Sequence, residues 1–135
     1  MRTAPRNTWT APLVAAGAAA ALIPDLYLRR KAPRARTALY ATGLITAAAI
    51  YPALHSGPAE PAERNREIGA VLATVGVAVL ASRKKRGRKL LALGWASHAL
   101  FDALHERSST SLLPSWYPAV CAGYDVALAA AIATS

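Results

Sequence analysis

The sequence predicts an all-α integral membrane bundle of five transmembrane helices, four if the first or fifth apolar run does not insert, in a single domain over residues 1–135. Three observations carry that expectation. Of the 135 residues 54% are hydrophobic and 17% charged, with alanine at about a quarter of the positions, and a water-soluble domain seldom has so little polar side chain for its surface. The apolar residues fall into five long runs. The basic residues behind the formal charge of +9 are clumped, eleven of 16 lying in Arg29 to Arg36 (RRKAPRAR) and Arg83 to Lys89 (RKKRGRK). One Cys leaves no intrachain disulfide framework, and the apolar content excludes a disordered chain.

The first run, Thr10 to Leu28, is long enough at ~1.5 Å per residue to cross roughly 30 Å of hydrocarbon, and Arg29 and Arg30 stop it. Arg2 and Arg6 resemble the start of a signal peptide, but the run ends in Pro24, Asp25 and a basic cluster where a cleavage site needs small residues. The second run, Thr37 to Leu54, ends at His55, Ser56, Gly57 and Pro58. The third, Ile68 to Ser82, is short; a span of 66–82 needs a thin local bilayer or snorkelling of Arg64 and Arg83. The fourth, Leu90 to His105, gives a span of 90–106. The fifth, Trp116 to Thr134, opens with Trp116 and Tyr117, suited to a membrane interface, and Pro118, suited to a helix's first turn.

Five spans place successive loops on alternate sides. With both basic clusters in the cytoplasm, only Arg2, Arg6, Arg64, Arg66 and Arg107 remain outside, so the chain is expected in the cell membrane with an external N-terminus and a cytoplasmic C-terminus. Basic loops this short between membrane helices are topology signals with some affinity for anionic lipid, not nucleic-acid contacts. The expected partners are the lipid bilayer, a small lipophilic substrate and further copies in a homo-oligomer, with no nucleic acid.

A bilayer penalises charged side chains, so those inside apolar runs need a reason to be there. In the fourth run His98, Asp102 and His105 follow the pattern H-x3-D-x2-H, which on a helix confines them to an arc of roughly 60°. In the fifth, Cys121 and Asp125 are four apart and share a face. Measured from the outer ends, Asp102 and Cys121 lie about 6 to 8 Å deep, and His98 and Asp125 about 12 to 14 Å deep. The two stripes can therefore meet, and the short loop Arg107 to Ser115 makes the helices antiparallel neighbours.

Such a set admits three readings. His98, Asp102 and His105, with Cys121 or Asp125 as a fourth ligand, would hold a divalent metal such as zinc, iron or copper and acidify a bound water. The same residues would also serve as a metal-free acid/base or proton-relay site, or as a hydrogen-bonded network that only fixes helix packing. Elsewhere the expectations are plainer. Cys121 alone reads as a small buried hydrophobe, Asp25 as an interfacial acid paired with Arg29, and His55 as solvated. Glu60, Glu63 and Glu67 read as a hydrated segment or helix start, and Gly43, Gly69, Gly76, Gly94 and Gly123 as points where helices approach closely.

The stretch from Gly94 to Asp125 (GWASHALFDALHERSSTSLLPSWYPAVCAGYD), about a quarter of the chain, resembles the signature of a bacterial family of small multi-pass membrane proteins of unknown function. The family pattern is G-W-x-x-H-x-x-x-D-x-x-H, a loop with Pro, then C-x-x-x-D, matched here by Gly94, Trp95, His98, Asp102, His105, Pro114, Cys121 and Asp125. Relatives carry a second His directly after the last one, where this chain has Glu106. The resemblance implies which residues matter and brings no activity with it. The functional expectation is a non-redox membrane enzyme that hydrolyses, isomerises or cyclises a small lipophilic substrate. In it His98, Asp102 and His105 hold the metal or act as acid and base, Asp125 orients or relays protons, and Cys121 ligates or attacks. The alternatives are a proton or metal-ion transport or sensing protein and a structural accessory subunit. No phosphate-cradling loop or dinucleotide fingerprint occurs in the sequence.

Overall fold

A computed structural model describes residues 7–135, which form five α-helices and, among the described residues, no β-strand. They are α1 (Ala11–Lys31), α2 (Arg36–Ala53), α3 (Pro61–Arg83), α4 (Gly87–Leu104) and α5 (Tyr117–Ala133). Arg2 and Arg6 lie outside the described residues. Helices α1 and α3 are long and apolar enough to cross a membrane; α5 is apolar but shorter.

The boundaries follow local chemistry. Proline near the N-terminus starts α1, α3 and α5, where its missing N–H costs nothing, and Arg29, Arg30 and Lys31 close α1 against the negative end of its dipole. The third helix, expected to be short, is the longest at 23 residues because Pro61 starts it a turn before Arg66. The fourth ends sooner than the 90–106 span. His105 is its C-cap, with φ −73° and ψ 117°, so the helical geometry stops before the last histidine of the stripe.

In space α5 lies between α1 and α4, while α3 packs on α2 and α4. One end of the bundle carries the two basic turns, where Arg29 donates to the Ala131 carbonyl and Arg88 to that of Ser135. At the other end residues 54–56 pair with 110–112, Ser56 N–H to Thr110 O and Leu112 N–H to Leu54 O, both at 2.8 Å. The segment between α4 and α5 thereby covers the tops of α2 and α3.

Several large apolar side chains are exposed while several ionisable ones are buried. Ile23, Leu72, Leu93 and Leu104 are among the most exposed residues, whereas Asp25, Glu63, Glu67, His98, Asp102 and Asp125 are buried. The core near the basic end is a cluster of Ala21, Tyr40, Leu44, Leu91, Trp95, Leu128 and Ile132.

Glycine use differs from expectation. Gly94 faces Leu44 and Val77, Gly43 faces the Trp95 ring, and Gly123 meets the backbone of Val14. Gly69 and Gly76 meet nothing: a Cβ there finds no heavy atom of the described residues within 4 Å. Both sit inside α3 on its outer side, where glycine costs helix stability without relieving a clash. Gly69→Ala and Gly76→Ala should each stabilise the fold by about 0.5–1 kcal/mol, read as a higher unfolding temperature in detergent. A drop in that temperature would mean that another surface lies against this face.

Candidate functional site

Every helix contributes an interior polar residue, and the residues gather into three clusters at different heights. The middle cluster joins α4 to α5. Nδ1 of His98 lies 2.6 Å from Oδ2 of Asp125 and 3.5 Å from Oδ2 of Asp102. The expected depth match between His98 and Asp125 is thus met by direct contact. Asp102 is held from a third side, because the Tyr51 hydroxyl of α2 donates to its Oδ1 at 2.5 Å. His98, Asp102 and Asp125 are 3%, 0% and 1% exposed. Such burial is sustainable only with each charge or dipole answered by another.

His98 is answered on one edge only. Nδ1 is engaged toward α5, while Nε2 is buried with no hydrogen-bond partner among the described residues. The same histidine lines a groove of about 340 Å³ between α3 and α4, whose walls include Ala70, Ala73 and Val77 on one side and Leu93, Gly94 and Phe101 on the other. His98 is the one ionisable side chain of that lining; Thr74 and Ser97 supply the hydroxyls. A second recess of about 280 Å³, bounded by Arg66, Leu104 and His105, shares Ser97 and Phe101 with it, so the two run together along α4. A wider cleft of about 490 Å³, lined from α1, α2, α4 and α5, has tyrosines, Trp95 and aliphatic residues on its walls but no histidine or acid.

The structure divides the expected ligand set. His105 does not join His98 and Asp102: the extended backbone at the C-cap turns it toward α3, where Nε2 lies 3.5 Å from Oε1 of Glu67. The roughly 60° arc assumed a helix that continues through residue 105. His55, expected to be solvated, is in the same place, its Nε2 2.9 and 3.0 Å from the two oxygens of Glu67 and 4.0 Å from Oε1 of Glu63. Glu63 and Glu67 are buried, not hydrated, because the early start of α3 directs both inward beneath the 105–116 segment; Glu60 is exposed as expected. Two groups of side chains, His98 with Asp102 and Asp125, and His55 with Glu63 and Glu67, could hold a metal ion. Cys121 is half-buried and belongs to neither group.

The third cluster lies at the basic end. Asp25 pairs with Arg29 at 2.7 Å, as expected, but is buried and also accepts from Arg36 at 2.8 Å and from the Tyr40 hydroxyl. Its carboxylate is fully engaged, and its role is to tie α1 to α2.

The 105–116 segment is held by Arg107, a buried arginine that donates to the Leu113 carbonyl at 2.5 Å, Asn7 Oδ1 at 2.6 Å and Ser111 Oγ at 3.2 Å. Burial pushes its pKa below the ordinary arginine value, yet a guanidinium keeps its charge in proteins. Arg107→Met should leave those carbonyl acceptors unpaired and cost about 1–3 kcal/mol, read as faster proteolysis between Ser108 and Ser115 with the helices intact. Unchanged cleavage would show that the segment is held by other contacts.

Reasoning from sequence missed Tyr51, Arg36, Tyr40 and Gly17. The first three had a signal: Tyr51 and His55, like Arg36 and Tyr40, are spaced four apart, as residues on one helix face are, although α2 ends before His55. No family model, curated protein or solved structure matches the chain.

Proposed function

We propose that the protein is a five-span enzyme of the cell membrane that transfers a proton to or from a lipophilic molecule lying in the α3–α4 groove, with His98 as the acid/base. The observation that carries this reading is the asymmetry of His98, a residue that lines the α3–α4 groove: one ring nitrogen is held by a buried carboxylate, and the other is buried with no partner among the described residues. A carboxylate on Nδ1 sets the tautomer and stabilises the imidazolium, which leaves Nε2 as the base toward a bound substrate. Asp125 orients the ring, and Asp102, fixed by Tyr51, supplies a second negative charge 3.5 Å away. Isomerisation by moving a proton between carbons is the simplest such reaction; hydrolysis or cyclisation would use the same base. The exposed large apolar side chains found on all five helices and the eleven basic residues gathered at one end support a membrane bundle with that end in the cytoplasm.

A zinc, iron or copper ion at His98 is the less favoured version of this site. Donors sharing one ion at ~2.0–2.2 Å stand about 3 Å or more apart, whereas His98 and Asp125 are at a hydrogen-bonding 2.6 Å. A transmembrane proton path is also less favoured, because Leu44, Leu91, Trp95 and Leu128 fill the layer between His98 and the Asp25 cluster.

The test is proton exchange. Protein reconstituted in vesicles of total membrane lipid from its expression host is incubated in D2O, and the lipids are resolved by chromatography and mass spectrometry. A species that takes up deuterium or changes retention with the wild type should do so about 10²–10⁴-fold more slowly with His98→Ala. Equal behaviour of the two proteins, or no change with either, would overturn the reading.

A further inference from the structure

The cluster at the end opposite the basic turns has the makings of a second site, separate from the His98 groove. Its residues come from three places in the chain: His55 just after α2, Glu63 and Glu67 one turn apart on α3, and His105 at the C-cap of α4. Glu63, Glu67 and His105 are 2%, 1% and 5% exposed. Two carboxylates so placed repel each other unless a positive charge sits between them.

Ligand atoms of His55, Glu63 and Glu67 all lie within 4.8 Å of one another, and His105 stands beside Glu67. Around a cation bound at ~2.0–2.2 Å, neighbouring ligand atoms stand about 3 to 3.5 Å apart and opposite ones about 4 Å. His55 Nε2 is hydrogen-bonded to Glu67 at 2.9 and 3.0 Å, just short of that range, while His105 Nε2 is 3.5 Å from Glu67 Oε1 and His55 Nε2 is 4.0 Å from Glu63 Oε1, within it. Glu63 Oε2 and both ring nitrogens of His105 are buried with no hydrogen-bond partner among the described residues. Unpaired donors of this kind, in a cluster where other atoms are satisfied, indicate a missing ligand.

The outer contacts fit as well. Metal-binding histidines characteristically use their second nitrogen in a hydrogen bond that fixes the ring, and bound carboxylates are themselves hydrogen-bonded. Nδ1 of His55 is 2.8 Å from Thr110 Oγ1, and Oε1 of Glu63 accepts the Ser108 N–H at 3.0 Å. The 105–116 segment therefore holds the ligands in place, and His105 also lines the recess beside Arg66.

We propose that His55, Glu63, Glu67 and His105 bind one divalent transition-metal ion. Imidazole with carboxylate and no thiolate selects the zinc, iron(II) and manganese class. The ion would fasten the end of α2 to α3, α4 and the covering segment.

The experiment is stoichiometry on full-length protein purified in detergent without a histidine tag. After stripping with EDTA, the protein is loaded with Zn²⁺ or Mn²⁺, passed over gel filtration and measured by inductively coupled plasma mass spectrometry. The wild type should retain one equivalent of at least one of the two metals. Glu67→Gln, which keeps the side-chain shape, and His55→Ala should weaken binding at least about tenfold. His98→Ala should keep the full equivalent, which separates this site from the groove. Substoichiometric metal in the wild type, full retention in Glu67→Gln and His55→Ala, or loss in a folded His98→Ala protein would each overturn the proposal. Helical circular dichroism monitors folding; should both ligand variants unfold, the wild-type stoichiometry decides alone.

Discussion

Replacing Gly17 with leucine should detach α1 from α5 and lower stability by about 3 kcal/mol or more. Even a single Cβ on Gly17 would lie 1.9 Å from the Val120 carbonyl oxygen, and one on Gly123 would lie 2.0 Å from that of Val14. The two clashes are reciprocal: each helix places a glycine against the other's backbone, about one helical turn from the residue it touches. Both obstacles are main chain, so no rotamer change can relieve them and the helices must separate. Where helices face lipid, no hydrophobic driving force pushes them together, and close backbone approach through small residues is the main source of attraction. Thermal unfolding followed by circular dichroism should show a fall of at least about 10 °C for Gly17→Leu and Gly123→Leu. Midpoints within a degree or two of the wild type would mean that α1 does not pack on α5 as described.

Asp125→Ala should be the most damaging substitution among the buried polar residues, at about 3–5 kcal/mol, because it leaves His98 without its closest partner. A double-mutant cycle isolates the pair. Interhelical hydrogen bonds between neutral groups in membranes couple by about 0.6 kcal/mol on average, since the separated helices find other partners. A pair at 2.6 Å with both side chains 1% exposed has a charge-assisted bond and no access to water, so the coupling of His98→Ala with Asp125→Ala should exceed that, at about 1.5–3 kcal/mol. The reversible unfolding free energies of the four proteins in detergent provide the measurement. Additive losses would show that the two residues do not interact and would remove the support for His98 as an oriented base.

Much of the site was legible because polar residues inside apolar helices come in pairs four apart. Asp25 and Arg29, Arg36 and Tyr40, Tyr51 and His55, Glu63 and Glu67, His98 and Asp102, and Cys121 and Asp125 all follow this spacing. The spacing puts both members of a pair on one face, and cost forces that face inward. Pairs deep in a run, His98 with Asp102 and Cys121 with Asp125, stand out for that reason. Pairs near the end of a run do not: Glu63 and Glu67 look hydrated until the 105–116 segment is seen to lie over them, and Tyr51 draws no notice until its hydroxyl is found on Asp102. Gly17 carried no signal, being one small residue among the alanines of the first run, whereas Gly69 and Gly76 carried a false one.

The sequence by itself determined the five helices, their ends to within about three residues except the start of α3, and the pairing of α4 with α5 that brings Asp125 to His98. These follow from length, period and depth along straight rods, all of which are local quantities. Only the tertiary structure decided which residues share a cluster at the far end. His105 goes to Glu67 because the backbone leaves the helix at that residue, and His55 joins it because residues 54–56 pair with 110–112. Neither event has a period: the first is a departure from helical geometry at one residue, and the second depends on hydrogen bonds between segments more than 50 residues apart in the chain, which helical spacing cannot express.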